Sequence, residues 1–124
     1  MTADVPPLDP DAAARVAAFG PLPPMRERGL AAVRDAIESA PLPADMPAMA
    51  AVEDCSAPGP AGPIPLRIYR PSTDSAAPGI LYFHGGGLVM GTNHSFEPLA
   101  RALAAASGAA VVAVRAGEVI VLPT

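Results

Sequence analysis

Tryptophan is absent from these 124 residues, and cysteine occurs once, at Cys55. A single thiol excludes an internal disulfide, so the fold must rest on packing alone. Aromatic residues make up only 4% of the chain. Alanine supplies much of the 51% hydrophobic fraction, which means small side chains and modest burial per residue. Basic residues are also few: 8 Lys and Arg stand against 12 Asp and Glu, for a formal net charge of -4. They form no stripe that could neutralise a phosphate backbone, which argues against nucleic-acid binding. No apolar run approaches the ~18 residues that a membrane span requires. The opening Met1-Thr2-Ala3-Asp4-Val5-Pro6 lacks the basic and apolar segments of a secretory signal, so a cytoplasmic location is expected.

What is present is enough for one small domain. The mean hydropathy of +0.34 supplies apolar material for a core and argues against wholesale disorder. Proline is abundant, at 17 residues, most of them in the first 78 positions, and reads as punctuation between short elements. No internal repeat recurs at a fixed period. Cys55 is expected as a small buried or half-buried apolar residue. A reactive thiol is the lesser reading, because no basic neighbour would lower its pKa.

Two helices are predicted first. Asp9 suits an N-cap and Pro10 the first helical position, and the alanine-rich run from Asp11 to Phe19 ends at Gly20 and Pro21. A second helix is expected from about Pro24 to Ser39, with Leu30, Val33 and Ile37 at helical spacing. Pro41, Pro43 and Pro47 mark a linker. Met49 to Ala57 and Ile64 to Tyr69 then read as an antiparallel pair joined by Gly59-Pro60-Ala61-Gly62-Pro63. Ile64, Leu66 and Ile68 alternate with Pro65, Arg67 and Tyr69, which predicts one solvated face. Gly79 to Phe83 is a continuous apolar run, the pattern of a strand buried on both faces. A helix capped by Ser95 should follow, running through Ala106 with Leu99 and Leu103 on one face and Gly108 as its stop. Ala109 to Val114 is a further buried strand. Strand, loop, helix and strand make a βαβ unit, hence a parallel sheet with a right-handed crossover.

Between that strand and helix lies His84-Gly85-Gly86-Gly87. Consecutive glycines cost more chain entropy on folding than other residues do. They suit a loop with positive φ, or one whose amides must be closely approached. An oxyanion hole needs both, because preorganised N–H donors must face the oxygen that turns negative in acyl transfer. A plain tight turn is the bland alternative. Phosphate binding is weaker still, since neither the G-x-G-x-x-G nor the Walker A spacing is present. His84 as a general base lacks any serine or acid placed to partner it.

The segment from Ile80 through His84-Gly85-Gly86-Gly87 to Gly91 resembles the oxyanion segment of the hormone-sensitive-lipase-like (HGGG-type) esterases of the α/β-hydrolase fold. The run Pro58 to Pro71 is similar to that family's first hairpin, and the similarity extends over roughly Leu8 to Val114. The resemblance implies that the amides of Gly86 and Gly87, with Gly85 as a third candidate, donate to the oxyanion, while His84 and Gly91 support the loop. It further implies that Leu88, His94, Phe19 and Met25 are candidates for the substrate pocket. Family members usually carry Phe or Trp where Leu88 stands, which leaves the pocket's shape open. His94 is most simply a loop residue, and the N-terminal helices correspond to a cap over the active site or pack as ordinary amphipathic helices.

No G-x-S-x-G nucleophile elbow occurs in the sequence, and the only histidines are His84 and His94. A catalytic Ser, Asp or Glu, and His therefore cannot be assembled from these residues. After Val114 the family typically continues Asp-Tyr-Arg-Leu-Ala-Pro-Glu, whereas this chain reads Arg115-Ala116-Gly117-Glu118. Arg115 and Glu118 are remnants of that stretch, or the end is frameshifted or degenerate. The expectation is an α/β fold, the N-terminal part of an α/β hydrolase. It has cap-like helices and a linker over 1–48, hydrolase-domain strands over 49–114 and an atypical end over 115–124. Such a chain would carry the oxyanion loop of a serine carboxylic-ester hydrolase and be inactive alone. The complete protein would take a small acyl ester and need no organic cofactor and no metal. The alternative is a non-catalytic product that only associates with another chain, and an exposed sheet edge would favour self-association.

Overall fold

The computed structural model describes residues 6–87 and 89–115, except for the side chain of Phe19. The chain divides into two compact units, one ending at Leu30 and the other beginning at Ala31.

The first unit holds α1 (Pro10–Phe19) and α2 (Met25–Arg28). The carboxylate of Asp9 accepts the amide of Asp11 at 3.0 Å and Pro10 opens the helix, as the sequence predicts. Gly20 ends it, its N–H bonded to the carbonyl of Ala17 at 3.1 Å. The single helix expected from Pro24 to Ser39 is instead two. Gly29 adopts φ 79 and closes α2, its N–H bonding the Met25 carbonyl at 3.2 Å, and α3 (Leu30–Glu38) begins at the next residue. The spacing of Leu30, Val33 and Ile37 outlines α3 only. Of these Val33 is buried, whereas Leu30 is exposed.

The second unit is built on a four-stranded sheet: β1 (Ala51–Ala57), β2 (Ile64–Arg70), β3 (Gly79–Phe83) and β4 (Ala110–Val114), in the order β1-β2-β4-β3. β1 and β2 are antiparallel, β2 and β4 antiparallel, and β3 and β4 parallel. The βαβ unit is closed by α4 (Glu97–Ser107), which Gly108 ends in a left-handed conformation with φ 71.

The register places Tyr69, Val111 and Ile80 side by side on one face, next to Arg67, Ala113 and Tyr82. Helix α4 covers this face, and its contact residues are alanines. Ala100 and Ala104 are buried against Tyr69, Val111 and Ala113, with Leu103 packed at the margin. The structure shows which face of β2 is solvated, and two expectations about α4 are corrected. The buried side of β2 is the one carrying Arg67 and Tyr69, because α4 lies over it, while Ile64, Leu66 and Ile68 are only half-buried on the uncovered face. The helix does not bury Leu99, which is exposed; methyl-sized residues let it approach the sheet more closely than leucines would. Its N-cap is Phe96, because the Ser95 hydroxyl is engaged one turn earlier, accepting the Thr92 amide at 2.9 Å.

β3 is likewise not buried on both faces. It pairs with β4 alone among the described residues, and Leu81 and Phe83, 60% and 61% exposed, stand on the face opposite α4. β4, flanked on both sides, is the buried strand that its sequence predicts. Cys55 is exposed, contrary to expectation, because β1 is an edge strand on which every residue from Val52 to Ser56 is exposed. The atypical stretch over 116–124 lies outside the described residues.

Candidate functional site

The glycine loop leaves the carboxyl end of β3, the end at which open α/β sheets bind ligands. Gly86 and Gly87 both have positive φ, 124 and 62, which a side chain would resist. The Gly86 carbonyl accepts the amides of Val89 at 3.2 Å and Met90 at 3.0 Å, folding the loop back on itself. Gly86 has no alternative to glycine, because a Cβ there would lie 1.9 Å from the Met90 carbonyl oxygen. The amides of Gly85, Gly86 and Gly87 themselves make no hydrogen bond with any described residue. Three adjacent donors, unpaired among the described residues, at the end of a parallel strand can serve an anionic oxygen.

His84 is buried at the root of the loop, only 9% exposed. Its Nδ1 lies 2.7 Å from the Gly85 carbonyl oxygen. A carbonyl can only accept, so Nδ1 carries the hydrogen and Nε2 is left without a partner among the described residues. The imidazole stacks on Phe96, with ring centroids 4.9 Å apart and planes inclined by 18°. Gly91 makes that stack fit. A Cβ there would stand 2.7 Å from the Phe96 ring, 3.2 Å from His84 Nδ1 and 3.3 Å from the Gly85 oxygen.

The loop's far side is tied down by side chains that the sequence reading did not single out. Arg34 Nε of α3 donates to the Val89 carbonyl at 2.5 Å, and the Thr92 hydroxyl donates to Glu38. Glu97, 7% exposed, holds two guanidiniums: Arg67 of β2 at 3.3 Å and Arg101 of α4 at 2.7 Å. Arg67 also forms a two-point bridge to Asp54, at 2.6 and 2.8 Å, which holds that carboxyl below the usual carboxylate range. Arg101 reaches the Pro47 carbonyl at 3.2 Å and lies over the Tyr69 ring, 5.8 Å from its centroid. The Tyr69 hydroxyl in turn donates to the Asn93 carbonyl at 3.3 Å. Burial of this phenol, reinforced by the Glu97 charge, pushes its pKa up to about 12. A charged residue in the first turn of a helix reads as an ordinary dipole complement, so Glu97 carried little signal in the sequence.

The remaining candidates fall in different places. Gly85, Gly86, Gly87, His84 and Gly91 converge in the loop. His94 is half-buried in the segment after it and lines an open groove of about 450 Å³ together with Glu38, Asp54 and Thr92. Met25 is exposed on α2, and Phe19 ends α1. Leu88 lies outside the described residues.

A sheet ordered β1-β2-β4-β3, with a glycine loop between β3 and the crossover helix, is the N-terminal part of an α/β-hydrolase fold. The family model described as alpha/beta hydrolase fold matches residues 80–115. Over 89 residues the chain is 42% identical to the esterase LipI of Mycobacterium tuberculosis, an alignment covering 69% of this chain and 28% of that protein. It is 48% identical over 50 residues to the carboxylic ester hydrolase LipN of the same organism, covering 40% of this chain and 13% of that one. Among solved structures, the esterase of Pyrobaculum calidifontis superposes with a TM-score of 0.70 at 30% identity, over 88% of this chain and 35% of that one. The chain therefore has the α/β-hydrolase fold, and its resemblance to the HGGG-type esterases stands. It spans less than a third of LipI's length. No described helix is long and apolar enough to cross a membrane.

Proposed function

We propose that this chain supplies the oxyanion hole of a serine carboxylic-ester hydrolase. Gly86 and Gly87, with Gly85 as a third donor, would hold the charged oxygen of the tetrahedral intermediate. The observation that carries this reading is the set of three adjacent amides, unpaired among the described residues, at the carboxyl end of β3. His84 supports the loop through the Gly85 carbonyl, and Gly91 leaves room for that contact. Leu88, His94, Phe19 and Met25 are proposed as substrate-pocket residues on the family resemblance alone. The proposed substrate is a small acyl ester; the names of the relatives, esterases, support an ester without giving its size. The nucleophile, its base and its acid are assigned to the portion of the relatives' length that this chain does not span. In the complete protein, one such amide is worth about 2.7–4 kcal/mol of transition-state stabilisation. The exposed, unpaired Cys55 thiol suits the reducing conditions of the cytoplasm.

The test has two parts. The purified 124-residue chain, given a chromogenic butyrate ester, should show no turnover above background. A chimera in which residues 79–115 replace the matching segment of the P. calidifontis esterase should hydrolyse the same ester. Turnover by the chain alone that survives repurification, or a folded but inactive chimera, would overturn the reading.

A second reading draws on β3, whose outer edge is unpaired among the described residues and carries no charge or proline from Gly79 to Phe83. In that reading the chain is non-catalytic and associates through this edge, with itself or with another chain.

A further inference from the structure

We infer that the buried ion-pair cluster centred on Glu97 is a positioning device for the glycine loop, acting through the stacked pair Phe96 and His84. The inference takes its catalytic meaning from the oxyanion reading above, while its structural content stands apart from it. Glu97 and Phe96 are adjacent in the chain, so fixing the carboxylate of one fixes where the ring of the other projects. The carboxylate is fixed from two elements: Arg67 holds it to the sheet, and Arg101 holds it to the next turn of its own helix. The backbone just before it is pinned as well. The Tyr69 hydroxyl donates to the Asn93 carbonyl, and the amides of Phe96 and Glu97 close turns onto Thr92 and His94, at 3.2 and 3.1 Å. Phe96 then stacks on the face of the His84 imidazole, whose Nδ1 edge holds the Gly85 carbonyl. That contact orients the peptide linking Gly85 to Gly86, whose N–H is one of the unpaired donors. An unbroken series of contacts thus runs from Arg67 on β2 to a loop amide. Each link is short, and the carboxylate and imidazole lie away from water, where such contacts are stiff.

The cluster is also disposed so that Glu97 can be altered with both guanidiniums still hydrogen-bonded. Arg67 retains its ion pair with Asp54, while Arg101 loses its carboxylate partner but keeps the Pro47 carbonyl. E97Q keeps the shape of the side chain and should fold.

The test is backbone ¹⁵N relaxation of the whole chain, comparing wild type with E97Q, F96L and F96Y. In the wild type Gly85, Gly86 and Gly87 should show order parameters near 0.85, and in E97Q and F96L these should fall below about 0.6. The β1–β2 ladder should keep its wild-type values in both variants. F96Y, which preserves the stacked ring, should match the wild type. Histidine ¹⁵N spectra add a signature that mere loss of stability would not produce: the hydrogen on His84 Nδ1, fixed in the wild type and F96Y, should exchange between both ring nitrogens in F96L. Loop amides that stay rigid in both E97Q and F96L would overturn the inference. So would loosening by E97Q with a rigid loop in F96L, since the link would then bypass the aromatic stack. If E97Q does not fold, F96L against F96Y decides, with equal loop order in the two counting against the inference. None of these readouts uses ester hydrolysis, so failure of the oxyanion reading would leave them unchanged.

Discussion

A methyl group on Gly86 would sit 1.9 Å from the carbonyl oxygen of Met90, whereas one on Gly87 would meet nothing within 4 Å. The two neighbours share a positive φ but not a steric environment. G87A should therefore carry only the conformational penalty of an L-residue in the left-handed region, about 1–2 kcal/mol. G86A must also displace the turn that the Val89 and Met90 amides form on the Gly86 carbonyl, and should cost about 3 kcal/mol or more. Urea denaturation of the two variants checks the order, and equal losses would refute the loop geometry.

Tyr69 makes the chain's stability sensitive to alkali. Its phenol stays neutral up to about 12 in the folded chain, against 10.0 for the free group. Folding thus binds the proton more tightly, so this contribution is complete below pH 10 and drains away as pH rises towards 12. That difference corresponds to about 3 kcal/mol lost across that window. Y69F should be less stable than wild type at neutral pH but should lack this share of the alkaline decline. Denaturation midpoints measured on both sides of the window would show it.

The helix-to-sheet contact rests on alanine. Ala104 is fully buried and Leu99 is 52% exposed. A104L should overpack the contact and cost about 1–3 kcal/mol. L99A should change stability by no more than about 0.5 kcal/mol. The reverse order would mean that α4 presents the face its leucines suggested.

The open edge of β3 can be blunted by charge. L81K places an ammonium on a side chain already 60% exposed, so folding should be little affected. If the chain associates through this edge, L81K should lower the sedimentation coefficient at high concentration towards that of a monomer. An identical concentration dependence in wild type and L81K would place any association elsewhere.

The order of elements was legible in the sequence because turn chemistry and strand periodicity are local. Pro10, Gly20 and Gly108 stop or start helices where they stand, and the alternation of β2 and the apolar runs of β3 and β4 mark real strands. The loop was legible for the same reason, since its glycines answer to positive φ. What could not be read depends on distant partners. Which face of β2 is covered was left open, and the face of α4 was misassigned, because small alanines bring the helix down over Tyr69 and apolar count favours leucine over alanine. Gly29 breaks the helix expected from Pro24, and the apolar spacing of Leu30, Val33 and Ile37 begins only after it. The Glu97 cluster joins residues thirty positions apart, Arg67 and Glu97 among them, and no local pattern announces such a meeting.

The most direct measurement is a crystal structure of the chimera carrying residues 79–115, trapped with an alkyl phosphonate on its nucleophilic serine. A phosphonyl oxygen should lie within about 2.7–3.1 Å of the Gly86 and Gly87 amides, with His84 still bonded to the Gly85 carbonyl. An oxygen bound elsewhere, with those amides turned to solvent or paired with other backbone, would contradict the central claim.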